Sequence, residues 1–262
     1  AVPVAAMRLS CQAYTARPMH SLWLSFTFAG ALLLTVALKF WLASRQMRHV
    51  AAHRAAVPSA FATTVSLAAH QKAADYTLVR SRFSFVTLAF GTALLLAWTL
   101  LGGLDVLNAA LRDTIQPRWG GMAYQLSLLT VFVLISGLLD TPLELYNTFR
   151  IEQRFGFNRT TLRLYLADAA KGLLVGALIG LPMAALVLWI MASAGAWWWL
   201  WAWLAWVAFQ LLILVIYPTV IAPLFNKFEP LPDESLKQRV QALMARCGFA
   251  AKGLFVMDGS RR

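Results

Sequence analysis

Ile151-Glu152-Gln153-Arg154-Phe155-Gly156-Phe157-Asn158-Arg159-Thr160-Thr161 is charged and aromatic, and long apolar runs lie on both sides of it. Those runs are each long enough to cross the hydrocarbon core of a bilayer as a helix, which takes about 20 residues. The composition agrees with that reading. Of 262 residues, 60% are hydrophobic and only 13% charged, with a mean hydropathy of +0.65. A soluble domain carries about 25% charged residues. The chain therefore reads as an all-α multi-span membrane protein, and Ile151–Thr161 as the interruption between two of its spans.

Working outward, five spans are expected, at residues 21–43, 83–104, 122–139, 172–192 and 197–224. The basic residues sort between them. Residues 44–82 carry Arg45, Arg48, Arg54, Lys72, Arg80 and Arg82 against the single acid Asp75. Residues 145–171 carry Arg150, Arg154, Arg159, Arg163 and Lys171 against Glu152 and Asp168. Such loops stay in the cytoplasm. Residues 105–121 balance Arg112 and Arg118 with Asp105 and Asp113, and read as an outer loop. The N-terminus is then outside and the C-terminus cytoplasmic. The formal net charge of +12 follows from this topology, so nucleic acid is excluded as a partner. The bilayer is the first partner. The excess of Arg over Lys suggests a bacterial inner membrane.

Several residues invite chemistry. Asp140 and Glu144 stand at the inner end of the third span, where Pro142 should kink or end the helix. Membrane-edge carboxylates are functional candidates, and simple solvation at a helix end is the equal alternative. Lys39 reads as an interfacial anchor whose stem snorkels to the headgroups. His49 and His53 stand four apart and share a helix face. A zinc-peptidase helix needs Glu directly after the first His, and Val50 is there instead. A solvated or packed face is the reading adopted, with no metal ligand assigned. Gly172, Gly176 and Gly180 form a small-residue stripe suited to close helix packing. Trp197, Trp198, Trp199, Trp201, Trp203 and Trp206 mark an outer lipid–water interface. Pro58 should split residues 44–82 into two helices, and Pro218 and Pro223 should break the end of the fifth span. Cys11 and Cys247 lie at opposite ends and offer no disulfide framework.

The two ends differ from the middle. Residues 1–20 are an irregular tail, with Met19 a candidate first residue. In residues 225–262, Asp233 can cap a helix with Leu236, Val240, Leu243 and Met244 on one face, ended by Gly248. Residues 254–257 read as a buried strand. One helix and one strand cannot bury a core, so this segment reads as the start of a cytoplasmic domain left incomplete.

Three segments carry a family resemblance. They are Leu145-Tyr146-Asn147-Thr148-Phe149-Arg150-Ile151-Glu152-Gln153-Arg154-Phe155-Gly156-Phe157-Asn158-Arg159-Thr160-Thr161, then Ala222-Pro223-Leu224-Phe225-Asn226-Lys227-Phe228-Glu229-Pro230-Leu231-Pro232, then Lys252-Gly253-Leu254-Phe255-Val256-Met257-Asp258-Gly259-Ser260-Arg261-Arg262. In this order they resemble signatures of the type I CAAX prenyl proteases, which are multi-span zinc metalloendopeptidases. The resemblance implies a helical membrane chamber, a zinc cofactor for the complete enzyme and a protein or peptide substrate, prenylated or membrane-associated. It implies that Glu152, Arg154, Asn158, Asn226 and Lys227 are signature residues. The first three are expected to form a collar that docks the protease domain. An ordered turn pinned by Phe155 and Phe157 is the structural alternative. The family's zinc motif is His-Glu-x-x-His, which these 262 residues lack. No catalytic or metal-binding residue is carried over, and the chain alone is expected to be inactive. The competing reading is a non-catalytic membrane scaffold. A small-solute transporter would want charges near the bilayer midplane, and Asp140 and Glu144 are read at an end.

Overall fold

The structure is a computed structural model that describes residues 19–249 and 253–257. The N-terminal tail with Cys11, and residues 250–252 and 258–262, lie outside the described residues. Five long helices dominate: α1 (Met19–Ala52), α2 (Leu67–Thr99), α3 (Gly103–Tyr146), α4 (Leu162–Ser193) and α5 (Trp198–Ile216). Their stretches are long and apolar enough to cross a membrane five times. Helices are forced here because lipid offers no partner to a free N–H or C=O. Caps set two of the starts. The Ser66 hydroxyl accepts from the Ala69 amide at 3.2 Å ahead of α2, and the Thr161 hydroxyl accepts from the Leu164 amide at 3.2 Å ahead of α4.

The 34 residues of α1 make a rod of about 50 Å against a hydrocarbon core of about 30 Å. Helices of this length carry polar ends beyond the lipid. Residues 67–82 of α2 are such an end, bearing Lys72, Asp75, Arg80 and Arg82 before the apolar run begins at Phe83.

The chain divides into two units. The first comprises residues 1–110 and 132–155, and the second residues 111–131 and 156–262. In the first, α1 and α2 run antiparallel, with Phe40 stacked on Phe85 at 4.0 Å between ring centroids. The later part of α3 runs antiparallel to α2. Trp98 meets Phe132 at 5.1 Å, Phe83 meets Tyr146 at 5.2 Å and Tyr76 meets Phe155 at 5.2 Å. Each step down α2 is matched by a step up α3, so the polar end of α2 comes to lie beside residues 147–155.

In the second unit α4 and α5 form a hairpin closed by the 3-10 turn Gly195–Trp197. An apolar groove of about 470 Å³ lies against it, lined among others by Pro182, Met183, Phe209 and Ile213. Lys171 Nζ donates to the Leu224 carbonyl at 3.4 Å, tying the polar ends of the hairpin. Past α5 the chain takes a π-helical turn, Tyr217–Ile221, and a last helical turn, Ala222–Phe225. Then β1 (Phe228–Pro230) pairs antiparallel with β2 (Phe255–Met257), Phe228 opposite Met257, with α6 (Glu234–Arg246) between them. Asp233 Oδ1 accepts from the Leu236 amide at 3.0 Å, the cap the sequence suggested.

Four expectations change. Residues 105–121 are helix, not loop: their charge balance reports exposure, while Ala, Leu, Arg and Gln there are strong helix formers. Pro142 neither kinks nor ends α3, which runs on to Tyr146 and then widens into the π-helical turn Asn147–Glu152. A proline withdraws one hydrogen bond, and a membrane helix tolerates that loss. Asp140 and Glu144 therefore both lie within the helix, in the last two turns of α3. Phe255–Met257 is a strand, but an exposed one with a single partner strand. The glycine stripe faces open space, since a Cβ added at Gly172, Gly176 or Gly180 would meet nothing within 4 Å.

The break in α3 is instead at Gly120, with φ 81° and ψ 176°. This region is open essentially to glycine alone, so Gly120→Ala should cost about 1–3 kcal/mol through the backbone, with no clash to add. Thermal unfolding in detergent measures it. The neighbouring Gly121→Ala, at ordinary φ, is the control expected to change little.

Candidate functional site

Burial locates the site. Among the described residues only Ala74, Ile151, Phe155, Met183 and Ile190 are buried hydrophobics. The many exposed Leu, Trp and Phe side chains are ordinary for helices that face lipid. Three of the five buried residues belong to the first unit, and all three lie where residues 147–155 meet the polar end of α2. The first part of Ile151–Thr161, as far as Phe155, is thus a packed knot outside the apolar spans.

Its chemistry is polar around a small apolar centre. Ile151 and Phe155 are on the π-helical turn and the short helical turn after it. The Phe155 ring meets Tyr76 edge-on. Tyr76 Oη donates to Glu152 Oε1 at 2.6 Å, and Arg80 Nη1 donates to Tyr76 Oη at 3.0 Å. Burial first, then the Glu152 carboxylate, push the Tyr76 hydroxyl above its usual range, so it remains a protonated donor. One residue earlier, Asp75 accepts two hydrogen bonds from Arg54, from Nε at 2.7 Å and from Nη2 at 2.8 Å. Hydrogen bonding by Arg54 holds the Asp75 carboxyl below the usual carboxylate range, against the opposing desolvation, and Arg154 adds a smaller attraction. The Arg154 guanidinium itself lies 5.8 Å from the Phe155 ring centroid.

The arrangement is a clamp. Arg54 comes from the connection after α1, Asp75 and Tyr76 from α2, and Glu152 from the turn after α3. Each contact joins segments that the sequence assigned to one side of the membrane. A π-helical turn is uncommon and recurs at functional positions. Here it presents Ile151 inward and Glu152 toward Tyr76 within two residues.

The sequence-derived site residues distribute as follows. Glu152 is part of the clamp, and Arg154 is exposed beside it, next to the Phe155 ring. Asn158 belongs to the second unit, where its Oδ1 accepts from the Thr160 amide at 2.7 Å and shapes the turn before α4. Phe155 is buried and pins the stretch, whereas Phe157 is exposed. Asn226 and Lys227 sit in the second unit, between the last helical turn and β1, with Lys227 exposed. Asp140 and Glu144 share a face of α3, four residues apart. Arg54, Asp75 and Tyr76 were not singled out as a site from sequence. The available signal was Asp75 itself, the one acid among six cations in residues 44–82.

Among the described residues no three His, Cys, Asp or Glu side chains converge as metal ligands. His49 and His53 bring their rings to 4.2 Å. However, His53 Nδ1 lies 2.9 Å from the His49 carbonyl, and His70 Nε2 lies 3.0 Å from the His53 carbonyl. The second contact fastens the turn after α1 to the start of α2.

The chain is similar to known proteins along most of its length. Residues 46–227 match a family profile described as the CAAX prenyl protease N-terminal region with five membrane helices. The CAAX prenyl protease 1 homolog of Arabidopsis thaliana is 32% identical over 241 residues, covering 90% of this chain and 56% of that protein. The human CAAX prenyl protease 1 homolog is 32% identical over 246 residues, covering 90% of this chain and 51% of that protein. The crystal structure of S. mikatae Ste24p superposes with a TM-score of 0.80 at 27% identity, over 88% of this chain and 54% of that one. The chain spans about half the length of the curated relatives it matches.

Proposed function

The chain belongs to the CAAX prenyl protease family, and from that membership we propose that it forms the membrane portion of a zinc endopeptidase acting on prenylated or membrane-associated proteins. The observation that carries this reading is the family match over residues 46–227. That match takes in all the residues of the clamp, Arg54, Asp75, Tyr76, Glu152 and Phe155, together with residues 46–82 and all of residues 145–171.

In this reading the five helices anchor the enzyme, and the clamp fixes residues 44–82 against residues 145–155. Zinc would activate the water that attacks the peptide carbonyl, and it would be held by residues outside these 262. The family-like residues Glu152, Arg154, Asn158, Asn226 and Lys227 would bear on the protease domain. Exposure of Arg154 and Lys227 supports a surface role for those two. The basic segments are cytoplasmic and the N-terminus outside, supported by the charge distribution and by the contacts that join those segments at one end of the first unit. Composition supports a bacterial inner membrane.

The test is zinc analysis and cleavage of a farnesylated CAAX peptide, done in parallel on the 262-residue chain and on the product of its whole gene. Stoichiometric zinc and cleavage by the gene product, with neither in the 262-residue chain, is the expected result. A stable gene product with no zinc and no cleavage would replace this reading with the scaffold reading.

A further inference from the structure

Aromatic contacts set the depth of the charged residues in the first unit. Phe40 of α1 is level with Phe85 of α2, where their rings stack at 4.0 Å. Phe83 of α2 is level with Tyr146 of α3, at 5.2 Å. Both neighbours run antiparallel to α2, and a helix rises about 1.5 Å per residue. Arg45 lies five residues past Phe40 and Arg80 five residues before Phe85, so both are about 7.5 Å to the polar side of that stack. Arg150 lies four residues past Tyr146, about 5 Å to the polar side of Phe83 and hence near the level of Arg80. Arg82 is within one turn of the same level. The helices α1 and α2 and the π-helical turn after α3 thus deliver arginines to one depth, immediately outside the apolar spans.

All four arginines are exposed. Among the described residues none of them is in an ion pair. Asp75, the sole acid of residues 44–82, is taken by Arg54, and Glu152 is taken by Tyr76. Glu144 is six residues from Arg150, off the three- and four-residue spacing at which helical neighbours meet. Arg45 also lies 5.8 Å from the ring centroid of Trp41, and tryptophan collects where lipid meets water. Exposed guanidinium forks at headgroup depth, without carboxylate partners, match the bidentate geometry of a phosphate.

We propose that Arg45, Arg80, Arg82 and Arg150 form a belt that binds the phosphate of anionic phospholipids in the adjoining leaflet. A zwitterionic lipid cancels its phosphate with its own ammonium, so the belt discriminates by net headgroup charge. This partner is independent of whether the chain serves a protease.

The test uses the full chain in nanodiscs of phosphatidylcholine with and without phosphatidylglycerol, reading lipid retained after detergent extraction by native mass spectrometry. The chain should retain phosphatidylglycerol in preference to phosphatidylcholine. Arg45→Gln/Arg82→Gln/Arg150→Gln should reduce that preference by about tenfold or more, leaving Arg80 to its Tyr76 contact. Arg112→Gln/Arg118→Gln, early in α3, should leave it unchanged. Inorganic phosphate should not displace the lipid. Arg45→Lys/Arg82→Lys/Arg150→Lys keeps the charge, and its preference should survive in part and weaken with added salt. Equal retention of both lipids by the unaltered chain would overturn the proposal. So would full preference in the glutamine variant, displacement by inorganic phosphate, or indifference of the lysine variant to salt.

Discussion

Phe155→Ala lowers the stability of the chain by about 3 kcal/mol, the lower end of the cost of emptying a buried phenylalanine site. The expectation rests on where burial occurs. Phe155 is 8% exposed and Ile151 4%, and both pack where the π-helical turn meets α2. Truncating the ring removes its edge contact with Tyr76 and opens a cavity at the base of the Tyr76–Glu152 hydrogen bond. Lipid-facing residues behave differently. Leu138 and Leu174 are 72% and 70% exposed, and acyl chains refill the space that a truncation leaves. Leu138→Ala and Leu174→Ala should each change stability by less than about 1 kcal/mol, since no cavity forms. Unfolding in mixed micelles, followed by tryptophan fluorescence, separates the two classes. Equal losses for Phe155→Ala and Leu174→Ala would show that the knot is no better packed than the lipid face.

The second large effect is the coupling between Tyr76 and Glu152. A hydrogen bond to an ionised acceptor contributes about 1.5–3 kcal/mol, and partial exposure of this one places it at the lower end. Its length of 2.6 Å is that of a charge-assisted O–H···O bond. A double-mutant cycle with Tyr76→Phe and Glu152→Ala should return a coupling of about 1.5 kcal/mol. Amide exchange in residues 147–155 should accelerate in either single variant, because the π-helical turn loses its tether to α2. The Arg54–Asp75 pair, though bidentate, leaves about two-fifths of each side chain in solvent, at 42% and 43%. Screening by water makes its coupling smaller than that of Tyr76 with Glu152. A cycle ranking the two pairs in the opposite order would move the structural role from Glu152 to Asp75.

Membrane spans were legible because their cause is one-dimensional. About 20 apolar residues in a row cross a bilayer whatever else they touch, and the five stretches were found in that way. Caps were legible for the same reason: Asp233 accepts from an amide three residues on, within its own turn. Errors arose where a local sign had a non-local competitor. Pro142 carries the signature of a helix break, yet the continuous helix around it absorbs one missing hydrogen bond. Charge balance in residues 105–121 suggested a loop, though it reports only exposure. Gly120, which breaks α3, carries no mark that separates it from Gly121 beside it.

Sequence alone therefore determined the membrane class, the five helices, the polar segments between them and the family signature around Ile151–Thr161. Each follows from composition or from order along the chain. Tertiary structure alone decided where that signature packs. Tyr76 and Glu152 are 76 residues apart, and Arg54 and Asp75 are 21 apart across a turn. No period or spacing links such positions, because the antiparallel packing of α1, α2 and α3 brings them together. That packing converted Ile151–Thr161 from a charged interruption into a turn whose one end, Ile151 to Phe155, is the best-buried part of the first unit.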